Sequence, residues 1–294
     1  MSRAGIVLVA SGAPTTVERT LESLQNQGSV ELVYVENRSA TESSPRIDAL
    51  LTERGAKRLK LPGQGRAEVW NLGLAELETD FVTFIDAGQV VADGALSTLS
   101  ELLAADPNLG GCYGRTAVID GEAQLRYRPE HGKTGSIFHR LLDKKHFLAA
   151  PACVLFRRAA LGEGFDAAYK TPRAVFLKKS IEVARARPFR FCDRAVVTAT
   201  TVPDDLGVLE ELVKVLVMVL YGFEPLRERS EHKLRKRLAR QLVALGKYHY
   251  RRERTEVAGR YISEAVRIAP AYFKGRRYQF LNFVKELRAS TAEQ

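Results

Sequence analysis

The order of apolar and polar positions in the first hundred residues predicts alternating strands and helices. Residues 6–10 and 81–85 are continuous apolar runs, as in strands that are buried on both faces. Between them, Val17, Leu21 and Leu24 recur at helical spacing. Strands that alternate with helices form a mostly parallel sheet covered by helices. The pattern therefore predicts an α/β fold.

The same reasoning places the remaining elements of the first two hundred residues. The predicted strands cover residues 6–10, 30–35, 57–61, 81–85, 111–118 and 151–158. The first predicted helix is capped by Thr15 or Thr16. The other predicted helices cover residues 45–54, 66–78, 94–104 and 174–186. Residues 126–133 are predicted to form a basic loop.

Beyond Pro203 the pattern changes to helices alone. Residues 206–220 carry a broad apolar face, suited to docking on a neighbouring surface. Residues 238–268 resemble a single tetratricopeptide-type hairpin, which cannot bury its own apolar face without a neighbour. We therefore expect two domains, at residues 1–204 and 205–294.

The net charge of +10 is concentrated in the second part of the chain. Residues 224–294 contain 18 Lys and Arg against 8 Asp and Glu, whereas residues 1–223 contain 27 of each. Such basic helices favour attachment to an anionic membrane surface or to a partner protein, with an ordinary solvated surface as the alternative. Nucleic-acid binding through Tyr248, Tyr250 and Tyr272 is disfavoured, because no recognised nucleic-acid motif is present.

Cysteine spacing and hydropathy bear on the compartment. Cys112, Cys153 and Cys192 form no C-x-x-C pair, which disfavours a zinc site and a disulfide framework. The first apolar run is too short for a signal peptide, and the longest apolar stretch elsewhere is too short to span a bilayer. We therefore expect a cytoplasmic protein, with peripheral attachment at the inner face of the membrane as a further possibility.

Polar residues follow the predicted strands at one edge of the sheet. Ser11, Glu36, Gly63 and Asp86 each stand at or just after the end of a strand. In open α/β sheets, ligands bind outside the carboxyl ends of the strands. The predicted site is the crevice on which these loops converge.

Four segments, in this order, resemble family-2 glycosyltransferases of the GT-A fold over residues 5 to about 200. Residues 20–25 resemble the end of that family's first helix, and residues 36–39 stand where the family has an Asp-rich loop. Residues 65–75, followed by Thr83-Phe-Ile-Asp86-Ala, are the most specific match. Residues 156–166 resemble the family's acceptor-side segment, a strand ending in Arg-Arg and a Gly-Phe-Asp turn.

The resemblance implies transfer of a hexosyl group from a nucleoside diphosphate sugar to a glycan, lipid-linked or protein acceptor, as in polysaccharide biosynthesis. Glu36 would accept a hydrogen bond from the nucleobase beside backbone groups of Ala10 and Ser11. Arg66, which precedes a helix N-terminus, would contact the diphosphate. Asp86 would contact the ribose or a metal ion.

Two departures from the family pattern affect the catalytic prediction. The family's strand continues as Asp-x-Asp-Asp, but this chain has Gly88 and Gln89 at the last two positions, so Asp86 alone would hold Mg²⁺ or Mn²⁺, and weakly. Gly88 itself is expected to line the donor site. The general base is also missing, because residues 167–181 contain no carboxylate.

The sequence therefore leaves two questions open: which residue replaces this base, and whether the protein is catalytic. Asp166, Asp143 and His146 could act as the base if folding brings one to the acceptor, and Glu163 and His139 are further alternatives. The protein is either an active transferase or a non-catalytic binding and assembly subunit. An unrelated Rossmann-type enzyme is disfavoured, because residues 11–14 lack the G-x-G-x-x-G spacing.

Overall fold

The computed structural model describes most of the chain as two compact units. The described residues are 3–37, 44–119, 125–129, 131–144, 147–200, 205–223, 226 and 228–270. One unit comprises Met1–Leu141 with His146–Val202, and the other comprises Leu142–Lys145 with Pro203–Gln294.

The first unit is built on one sheet flanked by helices. Its strands are β1 (Ala4–Ala10), β2 (Val30–Glu36), β3 (Lys57–Lys60), β4 (Phe81–Asp86), β5 (Val90–Val91), β6 (Gly111–Ile119), β7 (Leu125–Arg128), β8 (Val154–Arg157) and β9 (Phe189–Thr200). The helices are α1 (Pro14–Ser23), α2 (Pro45–Glu53), α3 (Arg66–Ala75), α4 (Ala95–Ala104), α5 (Phe138–Asp143, whose end belongs to the second unit) and α6 (Pro172–Ala186). Single 3₁₀ turns at Pro151–Cys153 and Arg158–Leu161 flank β8.

The sheet has a parallel half and a mixed half. Its order is β3-β2-β1-β4-β8-β6-β9-β5, with β7 paired to β6. The first four strands in this order are parallel, as the apolar runs predicted. Antiparallel β8 then joins β4 to β6, and β6 runs parallel to β9. The carboxyl ends of β1, β2, β4 and β6 therefore point toward the same edge of the sheet.

An aromatic cluster holds α3 against the sheet close to this edge. Trp70 of α3 lies 5.1 Å from Phe84 of β4 and 5.0 Å from Phe165, measured between ring centroids. All three side chains are buried. Tilted and edge-on aromatic pairs contribute packing beyond their buried area. This packing fixes the helix whose first residue is Arg66.

Several predicted details differ from the structure. The strand predicted at residues 151–158 is wrong over its first three residues, because Pro151–Cys153 forms a 3₁₀ turn before β8. Helix α1 begins at Pro14, which suits the first helical position, and its N-cap Ala13 makes no side-chain cap, so the cap on Thr15 or Thr16 is wrong. The basic loop at residues 126–133 is wrong over its first part, which belongs to β7. Strand β9 was not predicted at all, because its exposed charged positions, Asp193 and Arg194, interrupt the apolar pattern.

The second unit consists of helices in the part that the structure describes, as predicted. They are α7 (Leu206–Gly222), α8 (Glu228–Tyr250) and α9 (Thr255–Ile268). Helices α8 and α9 approach closely at Gly246, where an added Cβ would lie 2.8 Å from Ile262. No helix among the described residues is both long and apolar enough to cross a membrane. Tyr272 and the rest of residues 271–294 lie outside the described residues.

Candidate functional site

Three of the predicted site residues are neighbours at the ends of parallel strands. Ala10 pairs with Glu36 across β1 and β2. Val9, the residue before Ala10, pairs with Asp86 across β1 and β4. Adjacent strands lie about 4.8 Å apart, so the Glu36 and Asp86 backbones flank β1 on its two sides. Ser11 follows Ala10 directly, just after the end of β1.

Arg66 and Asp86 form an ion pair inside this site. Arg66 Nη1 lies 2.9 Å from Asp86 Oδ1, and the two side chains are only 11% and 19% exposed. Neither atom makes a well-aligned hydrogen bond to a described residue, so the contact is electrostatic rather than directional. The guanidinium at the start of α3 therefore neutralises the carboxylate at the end of β4.

Gly88 lies in a tight turn just after β4. Its φ is +99°, a region that residues with a Cβ rarely adopt. Its N–H donates to Thr20 Oγ1 at 2.9 Å, and an added Cβ would lie 3.2 Å from a Thr16 methyl group. The Asp86 N–H donates to Gln89 Oε1 at 3.3 Å, and the Gln89 N–H donates back to the Asp86 carbonyl at 3.0 Å. The glycine is thus required by the backbone of the turn.

Glu36 lies on the other side of β1 from Asp86. Its side chain is 24% exposed, and Oε2 lies 3.7 Å from Nζ of Lys60, which is 81% exposed. Such an exposed contact contributes little energy. Asn37 Nδ2 donates to the Gln64 carbonyl at 3.3 Å and ties the end of β2 to the loop before α3. Arg38 and Ser39 of the predicted loop lie outside the described residues.

Lys170 adds a further cation that the sequence pattern did not indicate. Its carbonyl accepts the Arg66 N–H at 2.9 Å. Its Cγ lies 3.1 Å from the position that a Cβ on Gly65 would take. Glu68 Oε2 accepts the Gly65 N–H at 2.8 Å and caps the same helix end. The segment before α6 thus lies against the first turn of α3.

Asn71 links α3 to the turn that contains Gly164, Phe165 and Asp166. Its Nδ2 donates to the Phe165 carbonyl, and its Oδ1 accepts the Phe165 N–H, each at 2.7 Å. Gly164 adopts φ +88°, and a Cβ there would lie 2.4 Å from Asn71 Oδ1. The residue before Asp166 is therefore held in place by α3, although 94 positions separate the two partners. Only the three-dimensional structure shows this pairing.

The contacts of Asp166 reduce its basicity. The backbone N–H of Ala168 donates to Oδ1 at 2.9 Å, and Lys178 Nζ lies 3.3 Å from Oδ2. These contacts lower the pKa of the Asp166 carboxyl, the Ala168 hydrogen bond first. A base with a lowered pKa takes up a proton less readily.

The other base candidates are in different surroundings. Asp143 belongs to the second unit, where its Oδ2 lies 3.4 Å from Lys233 Nζ. His146 lies outside the described residues. Glu163 and His139 are exposed. Where the family's base was expected, Arg173 stands in the first turn of α6, and burial lowers its pKa to about 10.

The donor set does not fit a divalent metal ion. Magnesium and manganese prefer several oxygen ligands, whereas the Asp86 carboxylate is already paired with Arg66. The described residues contain no group of three His, Cys, Asp or Glu side chains suited to hold a metal. A bound metal would also have to displace the Arg66 guanidinium from Asp86.

Comparisons with known proteins identify a family and a fold. The model of the glycosyl transferase family 2 matches residues 6–165. Among solved structures, S. aureus TarS 1-349 in complex with UDP-GlcNAc matches with a TM-score of 0.66 and 15% identity, covering 99% of this chain and 92% of that one. S. aureus TarS 1-349 matches with a TM-score of 0.63 and 14% identity, with the same coverage.

A further match covers a smaller part of the matched protein. S. aureus TarS matches with a TM-score of 0.57 and 16% identity, and the match covers 84% of this chain and 43% of that one. At such low identity, the likeness shows the fold, and it confirms the GT-A α/β fold expected from the sequence. No curated protein matches the chain.

Proposed function

This chain belongs to glycosyl transferase family 2, and from that membership we propose that it transfers a sugar from a nucleoside diphosphate donor to a glycan, lipid-linked or protein acceptor. The supporting observation is the meeting of Ala10, Glu36 and Asp86 at adjacent parallel strand ends, with Arg66 beside them. Ligands of open α/β sheets bind at such ends. The complex of S. aureus TarS with UDP-GlcNAc makes a uridine diphosphate sugar the first donor to test.

The donor would lie across the end of β1. Glu36 accepts a hydrogen bond from the nucleobase, beside backbone groups of Ala10 and Ser11. Arg66, at the first turn of α3, faces the diphosphate, because guanidinium groups and helix N-termini both attract phosphate. Asp86 holds Arg66 in position and contacts the ribose. Gly88 lets the backbone turn away from the ligand.

Charge on the leaving diphosphate is neutralised by side-chain cations in this proposal. Arg66 is fully charged at neutral pH, and Lys170 lies against the same helix end. Preorganised cations stabilise a departing phosphate electrostatically. Divalent metal therefore contributes little to donor binding, since the residues present do not fit it.

Calorimetric titration with uridine, guanosine and thymidine diphosphates, with and without Mn²⁺, tests the proposal. We expect one nucleotide to bind equally well with and without chelator, and Glu36→Ala or Asp86→Ala to weaken it at least tenfold. Glu53→Ala, an exposed carboxylate on α2, is the matched control and should bind as the unaltered chain does. Unchanged nucleotide binding in both Glu36→Ala and Asp86→Ala would contradict the proposed donor site. Nucleotide binding that chelator abolishes would contradict the proposal that binding is independent of metal.

We further propose that the basic second unit attaches the protein to an anionic membrane surface. The excess of Lys and Arg in residues 224–294 supports this, and exposed cations there include Lys247, Arg251 and Arg252. Each Lys or Arg near such a surface contributes about 1 kcal/mol, and salt screens the attraction. Vesicles of phosphatidylserine and phosphatidylcholine should retain the chain at low salt but not in 0.5 M salt, as judged by sedimentation. Salt should release the chain because the electrostatic screening length shrinks with salt, to on the order of one third of a nanometre near 1 M. Equal retention by neutral vesicles contradicts the proposal.

A further inference from the structure

Strand β7 exposes two large apolar side chains of the first unit. Leu125 is 53% exposed and Tyr127 is 45% exposed. The other large apolar side chains of the described residues with comparable exposure, Val217, Tyr221 and Val257, all belong to the second unit. Exposed apolar groups that cluster on one element mark interaction sites more often than scattered ones do.

The register of the sheet places β7 beyond the donor site. Val82 of β4 lies opposite Phe156 of β8, which lies opposite Gly111 of β6. Asp86 is four residues past Val82, whereas Leu125 pairs with the β6 residue that is eight past Gly111. At about 3.3 Å per residue, the Leu125 end of β7 projects roughly 13 Å past the level of Asp86.

A second route through the sheet relates Tyr127 to β5, the strand that follows β4. Val90 of β5 lies opposite Thr198 of β9, which lies opposite Ala117 of β6, which lies opposite Tyr127 of β7. Val90 is four residues after Asp86. Three strand spacings of about 4.8 Å separate Val90 from Tyr127, or roughly 14 Å. Tyr127 thus lies within reach of an oligosaccharide whose end is at the donor site.

Leu125 and Tyr127 also share the sheet face of Asp86. Side chains two residues apart on a strand point to the same face, as do directly paired residues on neighbouring strands. Asp86 shares its face with Val82 and hence with Gly111. Counting by twos along β6 from Gly111 reaches Ala117, the partner of Tyr127. The exposed pair and the predicted donor contacts therefore look into the same space.

We propose that Leu125 and Tyr127, the β7 platform, bind neutral pyranose units of a glycan acceptor. This inference rests on the proposed function, in which the donor sugar lies beside Asp86. A tyrosine ring offers an apolar face for the C–H face of a sugar and a hydroxyl for its polar rim. The partly exposed Thr198, which pairs with Ala117 of β6, adds a hydroxyl in the same row.

Protection of the sheet edge against pairing explains the charged residues of β7 but not its exposed apolar residues. Arg126 and Arg128 alternate with the platform and project to the opposite face, where charged side chains discourage pairing with another chain. Such protection requires no exposed Leu or Tyr, which would promote association instead. A glycan fits the apolar face without any strand pairing.

Saturation-transfer NMR on the full chain, with chitohexaose, cellohexaose and maltohexaose as probes, tests the platform. At least one hexaose should bind, Tyr127→Ala should weaken it tenfold or more, and Tyr127→Phe should stay within about threefold because the ring remains. Tyr221→Ala removes a tyrosine that is 62% exposed on α7 and is the matched control, with unchanged binding expected.

Three outcomes overturn the platform: no hexaose binds, Tyr127→Ala binds as the unaltered chain does, or sedimentation shows a dimer that Tyr127→Ala dissociates. Nucleotide calorimetry on the same variants separates this inference from the proposed function. Tyr127→Ala should keep full nucleotide affinity. Hexaose binding that depends on Tyr127 in a chain that binds no nucleotide would support the platform while removing the donor site.

Discussion

Replacing Arg66 by methionine should expose how far the donor site depends on its ion pair. The substitution keeps an unbranched apolar stem but leaves Asp86, which is 19% exposed, without the cation that lies 2.9 Å away. At that distance the bare attraction is about 6 kcal/mol for an effective dielectric constant of 20. Desolvation offsets much of this energy, and the pair lacks a well-aligned hydrogen bond.

The net effect is therefore far smaller than the bare attraction. Removing one partner of a buried pair costs about 3–5 kcal/mol, and partial exposure should reduce this to roughly 2–3 kcal/mol of unfolding free energy. Asp86→Asn in the same background should recover part of the loss, with a coupling energy of about 1–2 kcal/mol in the double-mutant cycle. Arg46→Met is the matched control, because Arg46 and Glu22 are 58% and 47% exposed at 3.0 Å, and it should cost less than about 1 kcal/mol.

The protein carries its own probe for this measurement. Trp70 is the single tryptophan, is fully buried and packs on Phe84 in the first unit. Its fluorescence during urea unfolding reports on that unit alone. Uridine diphosphate affinity without metal should also fall at least tenfold in Arg66→Met. A stable variant with additive effects in the cycle and unchanged nucleotide affinity would refute the assignment of Arg66 to Asp86 and to the diphosphate.

Three further predictions follow from the site. Asn71→Ala removes both hydrogen bonds to Phe165 and should lower the unfolding free energy by about 2–3 kcal/mol, measured through Trp70; a loss below about 0.5 kcal/mol would show that the turn is held otherwise. Gly88→Asp should destabilise the turn by about 1–3 kcal/mol because of its positive φ, and calorimetry should show no gain in Mn²⁺ dependence; a stable, metal-dependent variant would contradict this. The isolated chain should turn over the donor well below about 1 s⁻¹, because Asp166 is paired with Lys178 and the pKa of its carboxyl is lowered. A turnover number of about 1 s⁻¹ or more would contradict this, and alanine variants of Asp143, His146 and Asp166 would then identify the base.

The strand ends that carry the predicted donor residues illustrate where sequence reasoning succeeds. The buried runs ending at Ala10 and Asp86 were recognisable, because a strand covered on both faces needs consecutive apolar residues. Parallel strands bring their carboxyl ends to one edge, so the neighbourhood of Glu36 followed from chain order. The family phrases in residues 65–75 then indicated the kind of ligand.

Strands β7 and β9 illustrate where sequence reasoning fails. Strand β9 alternates irregularly, because its register against β6 shifts near Tyr113 and Arg115. A shifted register breaks the period of two on which strand prediction depends. The short strand β7 was not predicted for a different reason. Its apolar residues are exposed, and its charged residues are typical of a loop.

By itself, the amino-acid sequence determined the parallel strands β1 to β4 with the helices between them, the edge of the sheet at which these strands end, and the family. These properties depend on local periodicity and on short motifs, which are written in consecutive residues. Only the tertiary structure decided that Arg66 neutralises Asp86, that Asn71 holds Phe165 by two hydrogen bonds, and that β7 extends beyond the end of β4. Each of these contacts joins segments that are distant in the chain, and the register and packing that bring them together are properties of the folded sheet as a whole.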